Sequence, residues 1–98
     1  MEVIGRFAPT PSGRMHLGNV STALLAWLSV RSKGGKMLLR IEDLDTVRCP
    51  RENEELLRED LCWLGLDWDM EQPRQSERTA CYEDVLARLR QSGTVFPC

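Results

Sequence analysis

Val3-Ile4-Gly5-Arg6-Phe7-Ala8-Pro9-Thr10-Pro11-Ser12-Gly13 is the stretch whose reading decides the fold. Its β-branched and aromatic residues predict a short strand over 3–8, and Pro9, which has no N–H for a sheet ladder, ends it. The two prolines, two hydroxyls and one glycine that follow predict a rigid turn whose backbone can come close to a ligand. Beyond it, apolar residues recur at helical spacing from Met15 to Ser32. Leu17, Val20, Leu24, Trp27 and Leu28 define one broad face of that helix, widened by Ala23, Leu25 and Ala26. Ser32-Lys33-Gly34-Gly35 closes it, and Met37-Leu38-Leu39-Arg40-Ile41 reads as a continuous buried strand. Strand, helix and strand at this spacing predict a βαβ unit of a parallel sheet, and so an α/β protein.

Farther along, Cys49-Pro50-Arg51-Glu52-Asn53-Glu54-Glu55 places proline and acidic residues at a helix start. That helix turns Leu57, Leu61 and Leu64 inward and stops at Gly65. Leu66-Asp67-Trp68-Asp69 reads as a short extended piece and Gln72–Glu77 as a polar connection. Thr79–Gln91 reads as a third helix with Tyr82, Val85, Leu86 and Leu89 on one stripe, and Val95-Phe96 as the start of another strand. Pro97-Cys98 follows at once, so the sequence is expected to stop mid-fold.

Ninety-eight residues, 42% of them hydrophobic and 29% charged, suit one modest core rather than several domains. At this length there is enough apolar surface for one layer on each side of a small sheet. A net charge of -2 gives no general bias toward nucleic acid, but the charge is uneven. Residues 1–48 sum to +3 and residues 49–98 to -5, so an anionic ligand is better received by the first half. Cysteines at 49, 62, 81 and 98 form no CxxC and no dense framework, which suits reduced thiols. The N-terminus lacks the order of a signal peptide and no apolar run reaches the roughly 20 residues of a membrane span, so a cytoplasmic protein is expected.

In open parallel sheets, ligands gather at the C-terminal ends of the strands. Here those ends are Ala8-Pro9-Thr10 and Glu42-Asp43-Leu44-Asp45, which should face one crevice. His16, the only histidine, opens His16-Leu17-Gly18-Asn19 where the turn meets the first helix. Free backbone N–H groups at a helix N-terminus favour phosphate, Gly18 clears the approach, and His16 can donate to a phosphate oxygen. In the plainer alternative, His16 only caps the helix and Gly18 only allows close helix–sheet contact. Asp43 and Asp45 have a structural alternative too, orienting their loop or holding Arg40 and Arg48.

Three segments in order, Arg6–Gly13, His16–Asn19 and Arg40-Ile41-Glu42-Asp43-Leu44-Asp45, closely resemble the catalytic N-terminus of the glutamyl-tRNA synthetase group of class I aminoacyl-tRNA synthetases. Asn19 stands where many class I enzymes carry a second histidine. An amide there still donates a hydrogen bond to ATP but takes up no proton. The resemblance runs over nearly the whole chain, Trp63-Leu64-Gly65-Leu66-Asp67-Trp68-Asp69 included. It implies a Rossmann-like nucleotide-binding fold, with 1–98 as the N-terminal portion of the catalytic domain, incomplete at its C-terminus.

For the site, the resemblance implies that Arg6, Ala8, Thr10 and Glu42 bind L-glutamate. Arg6 takes the side-chain carboxylate through its planar fork, Glu42 the α-ammonium, Thr10 adds a neutral hydrogen bond and Ala8 offers backbone. Ser12, Gly13, His16, Gly18 and Asn19 face ATP, with His16 and Asn19 at the reacting phosphates and Mg²⁺ assisting. The subgroup that glutamylates queuosine in tRNA(Asp) is the nearest in pattern, through Gly5-Arg6-Phe7, Arg14–Asn19 and Arg48. A glutamate–tRNA ligase acting on tRNA(Glu) shares the chemistry through adenylate formation. A small nucleotidyltransferase and a non-catalytic nucleotide-binding accessory protein are the readings from other classes. Cys98 resembles the first ligand of a zinc insertion that only a longer chain would complete; no metal site is expected within 98 residues, and the full-length protein is expected to be monomeric.

Overall fold

A computed structural model describes residues 1–98. Strand β1 (Ile4–Phe7) leads through the proline-rich turn to helix α1 (Leu17–Arg31), then to β2 (Lys36–Arg40), α2 (Arg51–Leu64) and β3 (Met70–Gln72). A 3-10 turn (Gln75–Arg78) runs into α3 (Thr79–Gln91). The three strands form one parallel sheet in the order β1-β2-β3, so β1-α1-β2 and β2-α2-β3 are two successive βαβ units. The register sets Gly5 beside Met37, Arg6 beside Leu38 and Phe7 beside Leu39, and then Leu38 beside Met70.

Alternation in β2 sends Met37, Leu39 and Ile41 to one face, where they are buried with Phe7 against Ala23 and Val30 of α1 and Leu57 and Leu61 of α2. The opposite face is not covered in the same way: Ile4 and Met70 remain 57% and 55% exposed. The chain thus builds one helical layer on its sheet, where the composition allowed for two. Its radius of gyration, 16.1 Å, exceeds the roughly 13 Å of a compact chain this long, consistent with the incomplete burial.

Helix α1 corrects the sequence reading of its inner face. The residues turned to the sheet are Ala23, Ala26, Trp27 and Val30, whereas Leu17, Leu24, Leu25 and Leu28 are exposed, Leu17 by 84%. The cause lies in β1. A Cβ added to Gly5 would stand 2.1 Å from Val30 Cγ2, so helix and strand meet there too closely for leucines, and the fully buried positions of the seam are Ala23 and Val30.

The extended piece also shifts, from 66–69 to Met70–Gln72. Asp69 explains the shift, because its side chain takes the part of a ladder carbonyl. Met37 N–H donates to Asp69 Oδ2 at 2.6 Å while Asp69 N–H donates to Met37 C=O at 2.8 Å, and regular pairing starts one residue later. Arg31 then bridges Asp67 and Asp69, and Trp27 Nε1 donates to Asp67, clamping this loop to the end of α1. Helix α3 has the expected bounds, but none of its residues is buried, and its stripe of Tyr82, Val85, Leu86 and Leu89 is left open. Val95-Phe96 forms no strand.

Candidate active site

The turn after β1 and the end of β2 open into one hollow of about 610 Å³. Arg6, Ala8, Thr10, Ser12, Gly13, His16, Asn19 and Glu42 all line it. Backbone bonding joins its two walls: Glu42 N–H donates to Pro9 C=O at 2.9 Å, which fixes the exit of β2 to the exit of β1. The turn is braced within itself as well, Ser12 N–H donating to Thr10 C=O.

On the helix side of the hollow, His16 is the N-cap of α1. Its Nδ1 accepts from the N–H groups of Gly18 and Asn19, and Asn19 Oδ1 accepts in return from His16 N–H, a reciprocal capping box. Because Nδ1 is an acceptor, the neutral ring carries its hydrogen on Nε2, which no protein group engages. Because Asn19 Oδ1 is committed to the cap, its amide N–H₂ is the free end. Capping and presenting a donor are therefore compatible tasks of one imidazole. Gly18 is the single expected residue absent from the lining, and a Cβ there would lie 2.9 Å from His16 Cε1, so its smallness makes room for the ring.

The sheet side of the hollow carries charge. Arg14 and Arg6 both reach it, but Arg14 is held by Asp60 and Glu59, whereas Arg6 forms no hydrogen bond or ion pair. An unpaired guanidinium beside a concavity is a ready partner for a carboxylate. Glu42 accepts from Arg40 Nη2 at 2.8 Å through one oxygen and keeps the other free. Arg40 Nε is the one buried side-chain polar atom left without a partner. Glu42 is thus both salt-bridged and open to the hollow.

Asp43 and Asp45 do different work from one another. Asp45 accepts from Arg48 N–H and pairs with the Arg48 guanidinium. Asp43 is 6% exposed and takes no arginine; it accepts from both the N–H and the hydroxyl of Ser76. Burial opposes its ionisation, but the bonds from Ser76, with Arg74 nearby, prevail and hold its carboxyl below the usual range. Nearby, burial followed by the charges of Asp45 and Asp43 pushes the Cys49 thiol up, which suits an inert packing residue.

Sequence reasoning did not find Asp60 of α2 or Ser76. Asp60 accepts from Arg14 and from Met15 N–H, tying the turn to α2 from behind. Both residues act across more than thirty positions of chain, and no local spacing signals such a pair. Thr22 and Leu57 complete the floor. No three His, Cys, Asp or Glu side chains gather as a metal site; Cys49 is buried and Cys62, Cys81 and Cys98 are exposed and separate. No helix is long and apolar enough to cross a membrane.

Comparison with known proteins agrees with this geometry. The family described as "tRNA synthetases class I (E and Q), catalytic domain" matches residues 2–98. A glutamyl-Q tRNA(Asp) synthetase of Deinococcus radiodurans is 57% identical over the whole chain, which spans 32% of that relative. A glutamate–tRNA ligase of Aquifex aeolicus is 50% identical over 95% of the chain and 20% of the ligase. Among solved structures, a glutamate tRNA ligase from Elizabethkingia meningosepticum, crystallised in complex with its amino acid, superposes with a TM-score of 0.83 at 39% identity, over 93% of this chain and 20% of that one. The chain spans about a third of the length of the curated glutamyl-Q relatives it matches. Parallel βαβ units, a helix-capping histidine over a polar hollow and these likenesses agree: the fold is Rossmann-like α/β, and the chain belongs to the catalytic-domain family of the class I tRNA synthetases (E and Q).

Proposed function

We propose that residues 1–98 form the N-terminal part of a catalytic domain that activates L-glutamate with ATP and passes the glutamyl group to queuosine in tRNA(Asp). The observation that carries this reading is the pairing of an unengaged Arg6 with a half-free Glu42 around one hollow beside His16. Opposite charges lining one concavity suit a zwitterion whose side chain carries a further carboxylate. Arg6 would hold that side-chain carboxylate, Glu42 the α-ammonium, with Thr10 and the Ala8 backbone between them.

In the reaction, an oxygen of the glutamate α-carboxylate forms a bond to the α-phosphorus of ATP as the bond to pyrophosphate breaks. Glutamyl-adenylate stays in the hollow and pyrophosphate leaves. The chain supplies no nucleophile, so its contribution is positioning and electrostatic. His16 Nε2–H and the Asn19 amide would donate to phosphate oxygens from the N-terminus of α1, with Ser12, Gly13 and Gly18 allowing the triphosphate near the backbone. Mg²⁺, when bound with ATP, would neutralise charge on the phosphates; the chain gathers no group of His, Cys, Asp or Glu side chains that would hold it.

Preference for the queuosine-modifying branch rests on identities of 50–57% to glutamyl-Q tRNA(Asp) synthetases, against 49–50% to glutamate–tRNA ligases. The second reading, a glutamate–tRNA ligase serving tRNA(Glu), is favoured by the solved structures, which are ligases. One assay separates them. The full-length protein is supplied with glutamate, ATP and labelled pyrophosphate, with and without tRNA. Exchange without tRNA supports the queuosine-modifying branch; exchange only with tRNA(Glu) supports the ligase; nucleotide binding without any exchange overturns both.

A further inference from the structure

A strap that lies outside the hollow bonds to both chain neighbours of Glu42. After β3 the chain passes through Arg74, Gln75 and Ser76, and each of these residues is anchored. Arg74 binds Glu54, a carboxylate on α2 that is 2% exposed. Gln75 N–H donates to Ile41 C=O at 3.1 Å. Ser76 donates twice to Asp43, from its N–H at 3.0 Å and its hydroxyl at 2.7 Å. The residue before Glu42 and the residue after it are therefore both gripped by the strap, while Glu42 N–H is itself committed to Pro9. None of Arg74, Gln75, Ser76 and Asp43 lines the hollow.

We propose that Asp43 and Ser76 are positioning residues for the amino-acid end of the hollow: their paired hydrogen bonds hold the Ile41–Asp43 segment so that the free oxygen of Glu42 meets the substrate ammonium. The proposal rests on the glutamate reading above. A loop carboxylate with one long side chain and no bracing would lose rotational freedom on each binding event, and that cost is avoided when the backbone on both sides is already fixed. Two bonds to an ionised, buried carboxylate are strong enough for the task, because charge-assisted bonds exceed neutral ones. The nucleotide side has its own anchor in Asp60, so loss of the strap acts on glutamate and spares ATP.

The test uses Asp43→Ala, Ser76→Ala and Ser76→Thr, with two measurements on each. Amide hydrogen exchange at Glu42, read by NMR, should speed up about tenfold in Asp43→Ala, less in Ser76→Ala, and return toward wild type in Ser76→Thr, which keeps the hydroxyl. Leu39, inside β2, should exchange at its wild-type rate. Titration should show glutamate bound about tenfold more weakly by both alanine variants, ATP bound as before, and glutamate affinity recovered by Ser76→Thr. Should Asp43→Ala fail to fold, Ser76→Ala alone carries the comparison. Unchanged exchange at Glu42, or equal losses for glutamate and ATP, overturns the strap. Wild-type protein that binds no glutamate overturns the reading of the hollow instead, and the exchange rates still decide whether the strap fixes Glu42.

Discussion

The two walls of the hollow are built on different principles. The wall made by the turn and the start of α1 is local: His16 and Asn19 satisfy one another three residues apart, and their free donors point onward as a by-product of the cap. The wall made by Arg6 and Glu42 is non-local, set by strand pairing between β1 and β2 and by a strap from beyond β3. Under the proposed function, local construction would tie phosphate recognition to helix stability, since one imidazole would serve both. Non-local construction leaves the charged groups unburdened: Arg6 carries no structural duty, so it can be committed to ligand.

The largest expected effect follows from that freedom. Arg6→Ala should weaken glutamate binding by about 30- to 100-fold, the value of a bidentate charge-assisted contact, while leaving thermal stability close to wild type. Arg6→Lys should recover only part of the affinity, because an ammonium cannot match two oxygens at once. Calorimetric titration with glutamate, beside a melting curve, checks both; a variant that loses stability as well would mean that Arg6 is built into the fold and the walls do not differ.

A smaller effect is expected on the helix wall, and it should be mixed. His16→Ala removes the cap of α1 and should cost about 1 kcal/mol of stability along with affinity for ATP. His16→Asn keeps an acceptor for the first N–H groups, so stability should return while ATP affinity does not. Denaturant midpoints and nucleotide titration distinguish the outcomes. Recovery of ATP binding by the asparagine variant would show that the cap alone matters and that Nε2 donates to nothing.

The same division explains which features were legible in the sequence. Strand β1, the turn, the cap motif and both ends of the crevice follow from residue type and short spacing, whereas Arg6 and Glu42 are singled out only by the resemblance to the synthetase family. What escaped were partners fixed only by tertiary approach. Gly5 brings α1 onto the sheet so closely that Ala23 and Val30 replace the leucines as the buried seam, a reversal that periodicity cannot see because leucine and alanine are both apolar. Asp69 mimics a strand carbonyl, and β3 starts at Met70 rather than at Leu66. Helix α3 shows the opposite limit: its spacing predicts the helix correctly, yet says nothing about what its stripe would face. Ser76 and Asp60 look like ordinary polar residues of a connection and a helix, and only their distant contacts reveal what they hold.

The smallest expected effect tests the non-local wall through pH. Asp43 has a carboxyl held below its ordinary value in the folded protein, so across the window beneath about pH 4 the unfolded chain binds a proton that the native state refuses. Its contribution is therefore complete above the unfolded value and is lost as pH falls through the folded one. Asp67 and Asp69 are also lowered, the first chiefly by the Trp27 indole and the second by Met37 N–H, each aided by Arg31, so wild-type protein alone would report three groups together. Asp43→Asn isolates one of them. An uncharged amide leaves Asp67 and Asp69 untouched, and their contributions cancel in the difference between the two proteins. Denaturant midpoints taken between about pH 6 and pH 2 should show wild type ahead of Asp43→Asn at the upper end and the gap closing toward the lower, the direction required when the ionised carboxylate is the form that Ser76 binds. A gap that stays constant over that range would mean the neutral side chain serves Ser76 equally well, and the sheet wall would then depend on shape rather than charge.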